Sequence, residues 1–246
     1  YSPLQALGLA AKNPDRDVIF FAVGFETTAP AVGAMILRAA ELKIKNLSIL
    51  SLHKLTPPAM RAIMESGGVK IDGFICPGHV TAIIGANAYR FLSSEYGAPS
   101  VVAGFEPLDV LLGLYMLINQ LEEGRADIEI EYNRVVSPEG NKKAQAVIGE
   151  VFLPSDALWR GIGVIPESGL RIKDGYSQFD AEFRFQMPEA EYPPPAGCAC
   201  GDVLKGVIKP PECALFKKAC TPETPIGPCM VSSEGTCAAY YKYRAA

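Results

Sequence analysis

The stretch VIFFAV at residues 18–23 decides the fold class of this chain. A short, continuous apolar run of this kind is typical of a β-strand that is buried on both faces. Gly24 ends the run, and Thr27 or Thr28 followed by Pro30 is typical of a helix N-terminus. A buried strand that leads directly into a helix is the first half of a βαβ unit, from which parallel sheets are built.

The same alternation of strand and helix continues downstream. Further strands are predicted at residues 47–52, 73–76 and 100–103, and helices at about 31–43, 57–66, 80–94 and 107–121. We therefore predict an α/β fold with parallel-sheet, Rossmann-like domains. Beyond Gly124 the pattern weakens: we expect a strand and a turn at 126–136, a helix at 141–151, and ordered loops at 159–163 and 166–170.

Three regions are predicted along the chain. Residues 1–125 form an α/β domain, and residues 126–192 form the remainder of a second α/β region. The run Pro193-Pro194-Pro195 is typical of a linker, and it opens a small cysteine-rich module at residues 193–246.

The composition argues against several classes of protein. The 246 residues carry a formal net charge of −4, whereas general nucleic-acid binders are more often basic. No apolar run reaches the roughly 18 residues that a membrane-spanning helix needs. We therefore expect a cytoplasmic protein that has neither nucleic acid nor membrane as a partner. The chain begins with neither a methionine nor a signal peptide, so we expect that an N-terminal part is missing.

Polar residues follow each of the four predicted strands. These segments are Gly24-Phe25-Glu26, His53-Lys54, Pro77-Gly78-His79 and Gly104-Phe105-Glu106. Open parallel sheets bind ligands beyond the carboxyl ends of their strands, so the four segments are predicted to share one rim. Glutamate and histidine exchange protons or bind metals, and the helix N-termini that follow favour anions. The pattern predicts a cleft for a small polar or anionic species.

The same residues also have a structural interpretation. Either glutamate could follow a strand simply because a negative charge stabilises a helix N-terminus. We expect His53 to be a surface or capping residue, whereas His79, which follows Pro77-Gly78, is the better functional candidate. No glycine motif for a dinucleotide or a phosphate loop is present, and no nucleophile elbow is present either.

Six of the seven cysteines lie near the C-terminus of the chain. They are Cys198, Cys200, Cys213, Cys220, Cys229 and Cys237. Without an export signal, metal or redox chemistry explains them better than disulfides do. The paired CxxC motifs and the histidines of common zinc sites are absent here, whereas irregularly spaced thiolates suit a [4Fe-4S] cluster. Four thiolates suffice, and spacing leaves open which four; a structural zinc or a disulfide-stapled tail are the alternatives.

Several motifs resemble the HypD family of hydrogenase maturation factors. They are GFETTAP at residues 24–30, CPGHV at 76–80, GFEP at 104–107, WRGIG at 159–163, CALF at 213–216, CTP at 220–222 and CMVSSEGTC at 229–237. The resemblance runs along nearly the whole chain, and the last motif is long and specific.

The resemblance implies an assembly scaffold with redox capacity, not a conventional turnover enzyme. Such proteins help to build the Fe(CN)2CO centre of [NiFe]-hydrogenases with the small chaperone HypC, which shares the iron, and with HypE, which delivers cyanide. A [4Fe-4S] cluster in a third region supplies electrons to a thiol pair. The family's Cys-Gly-Thr-His-Glu and Gly-Pro-Gly-Cys-Pro-Val-Cys motifs do not occur in this sequence. The chain therefore resembles the C-terminal two-thirds of the family, and we expect the primary iron ligand only in a full-length protein.

Family residues can be carried over to matching positions. The cluster ligands then come from Cys198 or Cys200, together with Cys213, Cys220 and Cys237. Cys229 is the least suited ligand. Glu26, His79 and Glu106 match residues that face the cleft, where they could bind cyanide nitrogens or move protons. The alternatives are an iron–sulfur reductase of a disulfide or a small anion, and a zinc-stabilised binding module.

Overall fold

The computed structural model describes residues 2–185 and 195–244. The strands are β1 (Val18–Gly24), β2 (Leu47–His53), β3 (Phe74–Pro77), β4 (Ser100–Ala103), β5 (Ile128–Ile130), β6 (Phe152–Trp159) and β7 (Gly163–Ile172). The α-helices are α1 (Pro3–Lys12), α2 (Ala29–Glu41), α3 (Thr56–Glu65), α4 (Gly78–Ile84), α5 (Arg90–Tyr96), α6 (Pro107–Glu122), α7 (Lys142–Val151), α8 (Ala181–Phe185), α9 (Cys200–Leu204), α10 (Pro228–Val231) and α11 (Thr236–Tyr243). Short 3-10 helices cover Ala86–Tyr89, Asp174–Phe179 and Pro210–Glu212.

The chain divides into two compact units. The first, here called the α/β unit, comprises the described residues of 1–58, 72–156 and 166–188. The second, the cysteine-rich unit, comprises those of 59–71, 157–165 and 189–246. The domain boundaries that the sequence suggests at residues 125 and 192 stay predictions. The proposed linker begins at Pro193, outside the described residues.

The α/β unit is built from the elements that the opening stretch predicts. β1 and β2 pair in parallel over their whole length, from Val18 opposite Leu47 to Gly24 opposite His53. Between them, α2 places Val32, Met35 and Ile36 in the core. This strand–helix–strand order confirms the α/β prediction.

The four predicted strands do not share one sheet, so the prediction of a single rim is wrong. β1 and β2 form one parallel sheet, whereas β3, β4 and β5 form another. The chain that follows β6 makes the further backbone bridges of β2: Ile49 bridges to Asp180, and Lys54 bridges to Gly169. Because this later segment occupies the position that β3 would take, each sheet has its own rim.

Two other segments differ from the prediction. The helix expected at about 80–94 is interrupted after α4 by Gly85. Its φ of 85° is unfavourable for residues other than glycine. Residues 166–170, predicted as an ordered loop, belong to strand β7, which pairs with β6, whereas 159–163 is mainly the turn that joins these two strands, as predicted. Glycine and proline within these strands hide the alternation that would have indicated them.

The N-terminal helix α1 was not predicted at all. The Ser2 hydroxyl accepts a hydrogen bond from the N–H of Leu4, and Pro3 suits the first turn. Ala6, Leu7 and Ala10 then pack into the core of the α/β unit. Among the described residues, no helix is both long enough and apolar enough to cross a membrane.

Candidate metal centre and cleft residues

Five cysteines line one cavity in the cysteine-rich unit. They are Cys198, Cys200, Cys213, Cys220 and Cys237. The other residues that line the cavity are mainly apolar: Ala199, Val203, Leu215, Phe216, Gly227 and Met230. Cys229 is buried beside this set but is not among the residues that line the cavity.

Short helices and turns bring these cysteines together. Cys200 begins α9, Cys229 lies in α10, and Cys237 lies in the first turn of α11. Cys213 follows the 3-10 helix at Pro210–Glu212. All seven cysteines of the chain are free thiols, so no disulfide staples this unit.

Gly227 leaves the space that two of the sulfur atoms occupy. A Cβ atom at this position would lie 2.5 Å from the Sγ of Cys198 and 2.8 Å from the Sγ of Cys200. Its φ of −86° suits any residue, so space and not backbone geometry accounts for glycine here.

The thiols hold one negative charge most readily at Cys200. The Cys229 thiol donates a hydrogen bond to the Cys200 sulfur, which lowers the pKa of Cys200 to about 6. The same interaction raises the pKa of Cys229, as does burial. Burial raises the pKa of Cys198 to about 11 and that of Cys237 to about 12. Deprotonating Cys198, Cys229 or Cys237 as well therefore requires a positive charge nearby, which a metal group would supply.

The cavity offers the kind of donor, the cysteine thiol, that a [4Fe-4S] cluster takes as its ligand. In the part of the chain that the structure describes, no group of three or more His, Cys, Asp or Glu side chains is arranged to hold a metal ion. Five cysteines around an apolar cavity offer more than the four thiolates that a [4Fe-4S] cluster takes.

Glu26 is buried and its carboxylate is fully occupied. The side chain is 2% exposed. Its Oε1 accepts a hydrogen bond from the backbone N–H of Thr56 at 2.7 Å, and its Oε2 accepts one from the Thr56 hydroxyl at 3.0 Å. Thr56 begins α3, so Glu26 caps the N-terminus of that helix from another part of the chain. Burial raises the pKa of Glu26, while the Thr56 hydrogen bonds oppose that change.

His53 is buried, so the prediction of a surface or capping residue is wrong. It is 1% exposed, at the end of β2. Its Nδ1 lies 3.3 Å from the Ser51 hydroxyl, and its ring contacts the edge of the Phe152 ring at 5.8 Å between centroids. Its Nε2 has no hydrogen-bond partner among the described residues. Burial lowers the pKa of His53 to about 4.

His79 and Glu106 lie on the rim of the other sheet, and both side chains are exposed. The His79 ring packs against Phe105, at 4.7 Å between centroids, and lies 6.1 Å from the Tyr132 ring. Glu106 is the residue before the first turn of α6. The structure therefore brings His79 next to the Gly-Phe-Glu segment that follows β4. Among the described residues, no hydrogen bond or ion pair joins Glu26 to His79 or Glu106.

One buried polar residue was not recognised from the sequence. Tyr89, in the 3-10 helix after α4, is fully buried, and its hydroxyl has no hydrogen-bond partner among the described residues. Burial raises the pKa of Tyr89, and the charges of Cys76 on β3 and Glu26 raise it further. Tyr89 therefore lies close to residues of both sheets. No sequence motif includes Tyr89, so no signal in the sequence indicated that it would be buried near Cys76 and Glu26.

Comparisons with known proteins identify the family. The HypD family, described as a hydrogenase formation family, matches residues 1–244. The hydrogenase maturation factor HypD of Azotobacter vinelandii is 48% identical over 249 residues, and HypD2 of Bradyrhizobium diazoefficiens is 47% identical over 250 residues. Both alignments cover 99% of this chain and 66% of the relative. A putative hydrogenase expression/formation protein of Methanocaldococcus jannaschii is 45% identical over 244 residues, which is 99% of this chain and 68% of that protein. The chain thus spans about two thirds of the length of these curated relatives, and it belongs to the HypD family.

Proposed function

We propose that this protein is a cytoplasmic scaffold for the maturation of [NiFe]-hydrogenases. In this proposal, it helps to assemble the Fe(CN)2CO centre with a HypC-type chaperone and a HypE-type cyanide donor. The observation that carries the proposal is the family match over residues 1–244, together with the printed names of the relatives, which are hydrogenase maturation factors. The iron being assembled is cargo, and the full-length protein would hold it.

A [4Fe-4S] cluster is proposed in the cavity of the cysteine-rich unit. Its ligands would be Cys213, Cys220 and Cys237 with either Cys198 or Cys200, since all five line the cavity. When bound, it would supply electrons to the thiol pair of a full-length protein. The backbone N–H of Ile226 donates a hydrogen bond to the Cys220 sulfur at 3.4 Å, which holds that sulfur in place at the cavity. The apolar lining would limit the access of water to the buried sulfur atoms of Cys200, Cys220 and Cys237.

His79 is proposed as the cleft residue that contacts cargo or moves a proton. Its ring is exposed, its orientation is held by Phe105, and it follows Gly78 at the start of α4. A Cβ at Gly78 would lie 2.6 Å from the carbonyl oxygen of Ala103, so the chain turns tightly at this rim. Glu106 is exposed on the same rim and would be accessible to the same cargo. Glu26, with both oxygens occupied by Thr56, would instead maintain the shape of the other rim.

The cluster can be tested by metal and sulfide analysis of anaerobically purified protein. We expect about four iron and about four acid-labile sulfide per chain, and an absorbance band near 400 nm that dithionite bleaches. Cys213→Ser, Cys220→Ser and Cys237→Ser should each lose most of the iron. Cys229→Ser and Cys76→Ser serve as matched controls and should retain it. About one zinc per chain without sulfide would instead identify a structural zinc.

The maturation role needs a full-length parent that carries the same residues. His79→Ala should lower the yield of active hydrogenase while the thermal unfolding midpoint stays the same, because the side chain is exposed. His79→Phe is the matched variant, since it retains a ring against Phe105 but has no titratable nitrogen. Normal maturation by both variants would remove His79 from the proposal but leave the cluster intact.

A further inference from the structure

Cys229 is a buried cysteine that lies beside the proposed cluster site but does not line it. Its side chain is 6% exposed, and it belongs to the same apolar core as Cys200, which is 4% exposed. The other five cysteines of this unit line the cavity, whereas Cys229 does not. Cys229 is a free thiol, so it is not part of a disulfide. The proposed function leaves this sixth cysteine without a role.

The chain at the start of α10 places Cys229 next to the sulfur of Cys200. A Cβ atom at Gly227 would lie 2.8 Å from the Cys200 Sγ, so this sulfur lies directly against the residue before α10. A Cβ atom at Gly161 would contact both segments, because it would lie 3.2 Å from the Cβ of Cys200 and 3.1 Å from the Cγ of Pro228. Cys200 is therefore adjacent to the two residues that precede Cys229.

Two donor groups of Cys229 reach that sulfur. The backbone N–H and the thiol of Cys229 both donate hydrogen bonds to the Cys200 sulfur. The N–H is available for this contact because it lies in the first turn of α10, where backbone N–H groups have no partner within the helix. An ordinary cysteine thiol is protonated at neutral pH, so the Cys229 side chain acts as a donor and not as an acceptor.

Gly235 fixes the backbone of Cys229. A Cβ atom at Gly235 would overlap the carbonyl oxygen of Cys229, so the two residues are in close contact. The φ of Gly235 is −68°, which suits any residue, so the lack of space explains the glycine here. Gly235 directly precedes α11, whose first turn carries Cys237. The donor groups of Cys229 are therefore held in place by packing against a segment that itself lines the cavity.

We propose that Cys229 is a positioning residue that raises the reduction potential of the cluster through the sulfur of Cys200. This inference rests on the proposed cluster and requires Cys200 as its fourth ligand. Reduction adds one electron and no proton to the cluster, so the negative charge on its sulfur ligands increases. Hydrogen bonds to these sulfur atoms stabilise the added charge. The Cys229 thiol keeps its proton throughout, and the apolar surroundings strengthen its effect.

An anaerobic redox titration of the whole chain, followed by absorbance near 400 nm, tests the proposal. Cys229→Ala removes the thiol donor but keeps the backbone N–H. We expect the equilibrium constant for one-electron reduction to fall about fivefold, a shift of about 40 mV to more negative potential at about 59 mV per tenfold change. Cys229→Ser supplies a hydroxyl donor and should recover most of this shift. Cys76→Ala removes a buried thiol from β3 of the α/β unit, and as the matched control it should leave the potential unchanged.

Iron and sulfide contents separate this inference from the proposed function. The parent, Cys229→Ala and Cys229→Ser should each contain about four iron and about four sulfide per chain. A parent that contains zinc without sulfide would overturn both the cluster and this inference. Equal potentials of the loaded parent and the loaded Cys229→Ala protein would overturn this inference alone, as would a serine variant whose potential matches that of the alanine variant. Loss of iron from both Cys229 variants, with an unchanged circular dichroism spectrum, would make Cys229 a ligand and overturn the inference too.

Discussion

Thr56 donates two hydrogen bonds to the buried carboxylate of Glu26, one from its backbone N–H at 2.7 Å and one from its hydroxyl at 3.0 Å. The two residues are separated by 30 positions, and together they join the end of β1 to the start of α3. Because both of its oxygens accept hydrogen bonds from Thr56, the Glu26 carboxylate acts mainly as a structural cap of helix α3. Its strength can be measured by removing either partner.

The hydroxyl of Thr56 should contribute measurably to the free energy of unfolding. Thr56→Val retains the shape of the side chain but leaves one carboxylate oxygen of Glu26 without its donor. We expect a loss of about 1–3 kcal/mol in the free energy of unfolding, measured by urea titration. Thr56→Ser, which keeps the hydroxyl, should recover most of it. If the valine variant is as stable as the parent, another group must satisfy Glu26.

Glu26 should oppose folding more as pH rises. Burial raises its pKa above the usual value of 4.5, so the folded state holds the proton more tightly than the unfolded state does. The stability that protonated Glu26 contributes to the folded state is fully present below about pH 4.5 and is lost as pH rises through the folded-state pKa. Glu26→Gln cannot titrate, so the stability of the parent relative to this variant should fall over that window. Urea titrations of both proteins at a series of pH values provide the comparison, and a difference that stays constant with pH would contradict the burial argument.

His53 should produce the opposite dependence. Its pKa is about 4 in the folded state against 6.5 when unperturbed, so protonation favours unfolding. The stability it contributes is present above about 6.5 and is lost as pH falls towards 4, by up to about 3 kcal/mol. His53→Leu removes the titrating group and should flatten the stability profile in that window, also by urea titration. A parent and variant with equally steep profiles would show that His53 does not remain buried and neutral.

The local pattern of the sequence predicts the elements of the fold well. The apolar runs at β1, β2 and β4 and the helix starts at Pro30 and Pro107 are signals carried by a few adjacent residues, and the structure has these elements there. The separation of the strands into two sheets is different. It depends on Asp180 and Gly169 bridging to the chain around β2, a contact between residues more than a hundred positions apart. Periodicity has no information about such pairing.

In the candidate site, too, local features could be predicted from the sequence, whereas contacts between distant residues could not. The clustering of the cysteines is visible in the sequence, and five of them line one cavity. The contact between Cys229 and Cys200, which lowers the pKa of Cys200, depends on the relative positions of α9 and α10. His53 and His79 follow strands in the same way, yet one is buried and the other is exposed. Which side of a rim faces solvent depends on the surrounding packing, so no motif at either histidine could have distinguished them.

Gly227 should be essential for loading the cavity with metal. Its φ of −86° suits alanine, so Gly227→Ala adds one methyl group and no backbone strain. That methyl would lie 2.5 Å and 2.8 Å from the Sγ atoms of Cys198 and Cys200, closer than van der Waals contact permits, so one or both sulfur atoms must move. We expect iron and sulfide per chain to fall severalfold, as measured after anaerobic reconstitution. Gly149→Ala in α7, where a Cβ would meet nothing within 4 Å, is the matched control and should load normally. Normal loading of the Gly227 variant would mean that neither sulfur needs its present position, and that the ligands come from the remaining cysteines.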